Sequence, residues 1–234
     1  MNKEAAPFGV VFLLRKEDVM RYVMSDIHGR FDKFQKMLET INFNENDELF
    51  ILGDIFDRGD NPCELLEFCM INKNVHLLQG NHEQMFIDFI ESEFRDTSWL
   101  SNGGMRTFNA LTLKGEKYLE QAYIYLKKLP FIKVVDKFIL VHAGIFYMND
   151  IETVEDLIAM QERDTCLWDR SNIGLEKQFK DYTVICGHTP VQCIEQGRDT
   201  ILKRDGVIYI DCGAPFPDGQ LGCLNIDTME EYYV

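Results

Sequence analysis

No stretch of this 234-residue chain approaches the ~20 consecutive apolar residues that a membrane-spanning helix needs, so a membrane-embedded protein is not expected. Ala5 to Leu14 is apolar and follows Lys3. Arg15-Lys16-Glu17-Asp18 comes next with no small-residue cleavage site, which argues against a secretory signal. Positive charge is scarce: 24 Lys and Arg stand against 39 Asp and Glu, a formal charge of −15. A field of that sign repels nucleic acid and anionic membrane, so neither is expected as a partner. It excludes no small phosphate site, where metals and a few arginines set the local potential. Cysteines at zinc-knuckle spacing are missing. The seven present are odd in number and spread among apolar segments, as expected of reduced thiols in a cytoplasmic protein. Cys186 and Cys193 flank a Gly-His-Thr-Pro turn and are read as small buried hydrophobes. Repeats, low-complexity tracts and Pro- or Gly-rich linkers are absent too. One domain over residues 20–234 is therefore expected, with residues 1–19 an N-terminal extension outside the core.

Histidine is also sparse, with five in all, and four of them fall in short segments that come in a fixed order. These read Ser25-Asp26-Ile27-His28-Gly29, Gly53-Asp54-Ile55-Phe56-Asp57-Arg58-Gly59, Gly80-Asn81-His82-Glu83, Val141-His142-Ala143-Gly144 and Gly187-His188-Thr189-Pro190. Each follows an apolar run and delivers carboxylate, amide or imidazole groups at a turn. Strands are predicted at Arg21 to Met24, Leu49 to Leu52 and Val75 to Leu78, and helices at Phe31 to Ile41, Pro62 to Ile71 and from His82 to Ile90. Strand, loaded turn and helix, repeated, predict an α/β protein with a parallel sheet and ligands at the carboxyl ends of its strands. A helical middle broken at Trp99 to Gly104 and a hairpin over 131–141 follow. The last quarter is expected to be β-rich, including a strand at Val191 to Glu195.

Asp26 and His28 are two residues apart, so on extended backbone their side chains point the same way and suit one metal. Asp54 has two oxygens and can bridge two cations, while Asn81, His142 and His188 could complete a second site. Water shared between such ions has its pKa lowered towards ~7 and becomes a nucleophile. Taken singly, Asp26 could be a solvated turn residue, Asn81 a helix cap, and His142 and His188 core histidines. The conjunction of all of them favours a metal site. His76 lies inside a strand, outside any motif, and is read as structural.

The set of motifs resembles the phosphoprotein phosphatase (PPP) family of the calcineurin-like metallophosphoesterases, and most closely its compact bacterial and phage serine/threonine phosphatases. The resemblance runs from about Arg21 to the end. It implies a calcineurin-like sandwich of two mixed β-sheets flanked by helices. It implies two divalent ions, Mn²⁺ first with Fe or Zn²⁺ as alternatives, the first held by Asp26, His28 and Asp54. Asp54 would bridge to the second, completed by Asn81, His142 and His188. His82 would be the general acid and Asp57 the carboxylate that orients it. Arg58 would clamp the phosphoryl group, joined by Arg170 of Leu167-Trp168-Asp169-Arg170. Ser25 replaces the commoner Gly, and the Ser-Ala-Pro-Asn-Tyr loop of eukaryotic members is absent, with Asp211-Cys212-Gly213-Ala214 in its place. The Asn102-Gly103-Gly104 turn, with Arg106 and Thr107, resembles a bacterial insert near the active site, to whose residues the sequence assigns no role.

The implied reaction is hydrolysis of phosphoserine or phosphothreonine in a phosphoprotein or phosphopeptide, by in-line attack of a metal-bridging hydroxide. The alternative is a diadenosine tetraphosphate-type hydrolase on the same dimetal site, where Trp99 and Trp168 could stack a base. A nuclease fits less well, because its usual second histidine is Pro190 here and the charge is wrong. A ligand-losing binding module fits least, since no metal-competent residue is missing. The acidic surface favours basic over acidic peptides.

Overall fold

The computed structural model describes residues 19–147 and 150–234. Apart from Val19, the expected N-terminal extension lies outside the described residues. The first half alternates strands and helices: β1 Arg21–Met24, α1 Phe31–Thr40, β2 Glu48–Ile51, α2 Pro62–Ile71, β3 Val75–Leu77 and α3 Asn81–Glu91. α2 opens on Pro62, whose missing N–H is not needed in a first turn. β1 pairs with β2 and β2 with β3, all in parallel, as the repeating pattern predicts.

Side chains along these strands alternate between two cores. Tyr22 and Met24 of β1, and Leu49 and Ile51 of β2, join a layer with Phe34 of α1, Leu65 and Leu66 of α2 and Phe86 of α3. Val23, Phe50 and Leu52 point the other way, into a core filled from the opposite side by Ile139, Val141, Ile185 and Ile208. A strand covered on both faces must be apolar throughout, which is why these segments read as short continuous runs.

A wide helical turn at Leu100–Gly104 precedes α4 Met105–Leu113 and α5 Glu116–Leu126. Then come the hairpin β4 Ile132–Val135 and β5 Phe138–Val141, α6 Val154–Ala159, α7 Arg163–Trp168 and β6 Thr183–Cys186. After α8 Val191–Ile194 the chain ends in β7 Leu202–Arg204, β8 Val207–Tyr209, β9 Gly222–Asn225 and β10 Glu231–Tyr233. The strands form two five-stranded sheets, ordered β10-β9-β1-β2-β3 and β4-β5-β6-β8-β7. Both are mixed, and helices flank them, so the expected α/β sandwich is the observed architecture. No helix among the described residues is long and apolar enough to cross a membrane.

One expected strand is a helix. Residues 191–194 wind into α8, where the Cys193 N–H donates to Pro190 O and the Glu195 N–H to Val191 O, both at 2.8 Å. A short apolar run fits either element, and the proline just ahead of this one suits the entry to a helical turn.

Candidate active site

Every motif sits beyond the carboxyl end of a strand, and the two sheets turn those ends towards one edge. Asp26 and His28 leave β1, Asp54 to Arg58 leave β2, Asn81 and His82 open α3 just after β3, His142 leaves β5, and His188 leaves β6. The first two turns are locked together: the His28 N–H donates to Asp54 O and the Gly29 N–H to Ile55 O, both at 2.9 Å. Where they cross, a Cβ on Gly29 would lie 2.7 Å from the Gly59 carbonyl carbon, so the crossing requires glycine. Asp26, His28, Asp54, Asp57, Arg58 and His188 all hold positive φ, from 48° to 70°. Each such residue costs on the order of 1 kcal/mol and persists only where its surroundings over-determine it. Glu83 does much of this: its fully buried carboxylate accepts the N–H groups of Asp54 at 2.7 Å, Ile55 at 3.0 Å and Gly80 at 2.9 Å.

Asp54 lies at the centre. Its Oδ2 is 3.5 Å from His28 Nε2 and its Oδ1 3.5 Å from His142 Nε2. Among the described residues, two groups with ligand atoms within 4.8 Å of one another share this carboxylate: His28, Asp54 and His82, and Asp54, His142 and His188. Asp26 borders the first, with Oδ1 3.9 Å from His28 Nε2. Its Oδ2 accepts from the Ser25 hydroxyl at 2.5 Å and the His188 N–H at 2.9 Å. Asn81 does not cap α3, because Gly80 holds the cap position. Its Oδ1 lies 2.8 Å from His142 Nε2 and 3.0 Å from His188 Nδ1 instead.

This donor set fits divalent cations. His28 and His142 each spend Nδ1–H on a main-chain carbonyl, Phe56 O and Leu52 O, both at 2.7 Å. In the neutral rings that leaves Nε2 as a lone pair near Asp54, the arrangement of metal-ligating histidines. His142 Nε2 therefore faces Asn81 Oδ1 acceptor to acceptor, and a cation supplies what neither has. Burial, reinforced by neighbouring cationic groups, holds His28 and His188 well below the ordinary imidazole pKa, in the neutral form that ligates. Burial, with repulsion from Asp26 and Glu83, pushes Asp54 well above the usual carboxylate range, a cost that bound cations would cancel.

His82 is placed differently. Its Nδ1 is 2.5 Å from Asp57 Oδ2, and Asp57 is fully buried. Burial opposes charge on the ring, but the Asp54 carboxylate and the bond to Asp57 outweigh it and raise the His82 pKa. The Arg58 guanidinium forks between His28 Nε2 at 2.8 Å and His82 Nε2 at 3.2 Å. Its outer side stands 5.7 Å from the Phe216 ring. Arg170 enters from α7's far end, its Nε donating to Thr189 Oγ1 at 3.1 Å. His28, Asp54, Arg58, Asn81, His82, Arg170 and His188 line a cleft of about 190 Å³, joined by Asn102 and Trp168. Asp26, Asp57 and His142 sit directly behind it. His76 lies apart on β3, its ring stacked 4.9 Å from that of Phe50.

The family model for calcineurin-like phosphoesterases matches residues 21–213, a span that holds every residue of this cleft. The chain belongs to the calcineurin-like phosphoesterase family. Serine/threonine-protein phosphatase 1 of Salmonella typhimurium LT2 is 34% identical over 88% of this chain and 91% of that one. The symmetrical bis(5'-nucleosyl)-tetraphosphatase of Buchnera aphidicola subsp. Baizongia pistaciae is 29% identical over 62% of this chain. The chain spans about half the length of that relative, 54%. A crystal structure provisionally assigned as a diadenosine tetraphosphatase shares the fold with a TM-score of 0.64, at 16% identity over 94% of both chains. The resemblance drawn from the motifs therefore holds: this is a metallophosphoesterase, a hydrolase family, with His and Asp placed for a dimetal site.

Some roles around the phosphoesterase cleft were not foreseen, although the residues were named. Trp99 is fully buried and donates its indole N–H to Asp57 Oδ2 at 2.7 Å, so it cannot stack a base. Trp168, 39% exposed, does stand at the cleft. The Thr107 hydroxyl donates to Asp57 Oδ1 at 2.6 Å and accepts the Asp57 N–H at 2.9 Å. The one sequence signal was a tryptophan followed by a glycine pair, since a Cβ on Gly104 would collide with the Trp99 ring. All the cysteines are free, but Cys193 is exposed rather than buried. As a helix, α8 turns Val191 inward and leaves Cys193 on its outer side.

Proposed function

We propose that this metallophosphoesterase removes phosphate from phosphoserine and phosphothreonine in proteins. The observation that carries the reading is the near end-to-end match to the Salmonella phosphatase, 88% of this chain against 91% of that one. Tetraphosphatase relatives match over about half their length, 54% for the Buchnera enzyme. Dinucleoside polyphosphate hydrolysis remains the second reading, favoured by those relatives and by the half-exposed Trp168 at the cleft.

In this reading Asp26, His28 and Asp54 would hold one cation, and Asp54, Asn81, His142 and His188 would hold the other. Ions bound there would lower the pKa of a shared water and neutralise phosphoryl oxygens. Carboxylate, amide and imidazole without thiolate suit Mn²⁺, our assignment, with Fe and Zn²⁺ the alternatives. Arg58 and Arg170, both lining the cleft, bind the phosphoryl oxygens, the planar fork of Arg58 matching two at once. In its contact with His82 Nε2 Arg58 donates, so Nε2 carries no proton there; once the phosphate draws Arg58 away, Nε2 takes up a proton from water and passes it to the leaving oxygen. Asp57 accepts from the other ring nitrogen and so stabilises the imidazolium. Residues 20–234 act as one domain, and the free thiols support a cytoplasmic enzyme.

The test is kcat/KM on a phosphothreonine peptide and on diadenosine tetraphosphate, with metal-stripped protein restored by Mn²⁺. A large preference for the peptide is expected. A preference for the dinucleotide would move the chain into nucleotide hydrolysis and keep the metal site.

A further inference from the structure

Asp57 touches neither a proposed metal ligand nor the open cleft, yet both of its oxygens are occupied. Oδ2 accepts from His82 Nδ1 at 2.5 Å and from Trp99 Nε1 at 2.7 Å, and Oδ1 accepts from the Thr107 hydroxyl at 2.6 Å. The Asp57 N–H returns a bond to Thr107 Oγ1 at 2.9 Å. Alone, a carboxylate rotates readily about its last torsion, which is broad and two-fold. With a donor assigned to each oxygen it cannot, and the acceptor offered to His82 stays in one place.

The donors come from a segment built to hold this turn. Trp99 is clamped by Phe86 and Phe89, with ring centroids 5.2 and 5.4 Å away, and seated on Gly104. Gly103 carries the backbone past Arg58 at φ 104°, a conformation that favours glycine. Arg106 donates to Arg58 O at 3.2 Å and pairs with Asp60. Residues 99–107 thus bracket the turn that carries Asp57 and Arg58.

We propose that Trp99 and Thr107 are positioning residues for proton delivery: they fix the Asp57 carboxylate and, through it, the ring of His82. The inference rests on the phosphomonoesterase reading and adds residues outside the motifs. A ring held this way keeps Nε2 aimed into the cleft, where a poor leaving group needs its proton and a good one does not.

The test uses Trp99→Phe, which keeps an aromatic ring and removes the N–H, and Thr107→Val, which keeps the shape and removes the hydroxyl. Both are assayed with Mn²⁺ on an alkyl phosphate monoester and on p-nitrophenyl phosphate. Each variant should lose about tenfold or more in kcat on the alkyl ester, with p-nitrophenyl phosphate changed by less than about threefold and KM little moved. Thr107→Ser should restore wild-type behaviour. In a His82→Asn background, Trp99→Phe should have no further effect. Equal losses on both substrates, or a loss that persists without His82, would leave Trp99 and Thr107 as packing residues only and overturn the inference. If Trp99→Phe does not fold, Thr107→Val decides alone. A wild-type protein inert on both esters would instead overturn the functional reading, and this inference with it.

Discussion

His142 Nε2 lies 2.8 Å from Asn81 Oδ1 and 3.2 Å from His188 Nδ1. The fold gathers three ligand-competent atoms at one point that the unfolded chain keeps apart, so cation binding should add stability directly. At a hundredfold excess over Kd, one site contributes about 2.7 kcal/mol. For a chain of this size that is a rise of roughly 5–10 °C in Tm. Thermal melts of chelator-treated protein with and without Mn²⁺ would measure it. His142→Ala should lose most of the shift, and an undiminished shift would place the ions elsewhere.

Asp54 faces both histidine groups, so its replacement should act on both cations at once. Asp54→Asn is expected to abolish Mn²⁺-dependent turnover and to retain less than about half the wild-type metal content. The stripped variant should be at least as stable as the stripped wild type, because a buried charge pushed out of its normal range has been removed. Metal analysis and urea midpoints read both outcomes. Turnover that survives would remove Asp54 from the bridge.

Much of this was legible because it is local. An apolar strand, a glycine turn and one to three chemistry-bearing side chains lie within about a dozen residues of each other in every motif, and β1 to β3 fall within a residue of their expected bounds. What hid was set by distance or by short ambiguous runs. Trp99 and Thr107 are 42 and 50 residues from Asp57, and no periodicity links them. β9 inserts antiparallel beside β1, with Asn225 opposite Tyr22, a pairing that nothing near either strand announces. Residues 191–194 are apolar enough for a strand and short enough for a helical turn, so their period could not decide, and the exposure of Cys193 followed from that choice.

The formal charge of −15 should act on substrates before they reach the cleft. Basic phosphopeptides are expected to show higher kcat/KM than acidic ones of equal length at low salt. The gap should narrow as ionic strength rises and the Debye length falls from about 30 Å at 0.01 M to about 8 Å at 0.15 M. Stopped-time assays on a matched peptide pair across a salt series would show it. Equal turnover at low salt would sink the idea.

Asp211 is 3% exposed, and its Oδ1 accepts the Gly213 N–H at 2.9 Å. Burial, then repulsion from Asp26, pushes its pKa well above the usual carboxylate range in the metal-free fold, opposed by the Gly213 N–H and more weakly by Arg58. The raised value fixes the sign: the folded protein keeps a proton that the unfolded chain releases near a pKa of about 3.9. Stability from this group is therefore full below that value and is lost as pH rises through the folded pKa. In chelator, Asp211→Asn should be more stable than wild type at about pH 8, and the advantage should vanish by about pH 4. Urea midpoints at both ends of that range measure the difference. Restored cations would favour the ionised carboxylates around them and flatten the dependence in the wild type. An advantage that stays constant with pH would mean that the carboxylate ionises freely in the fold, and that its burial carries no proton linkage.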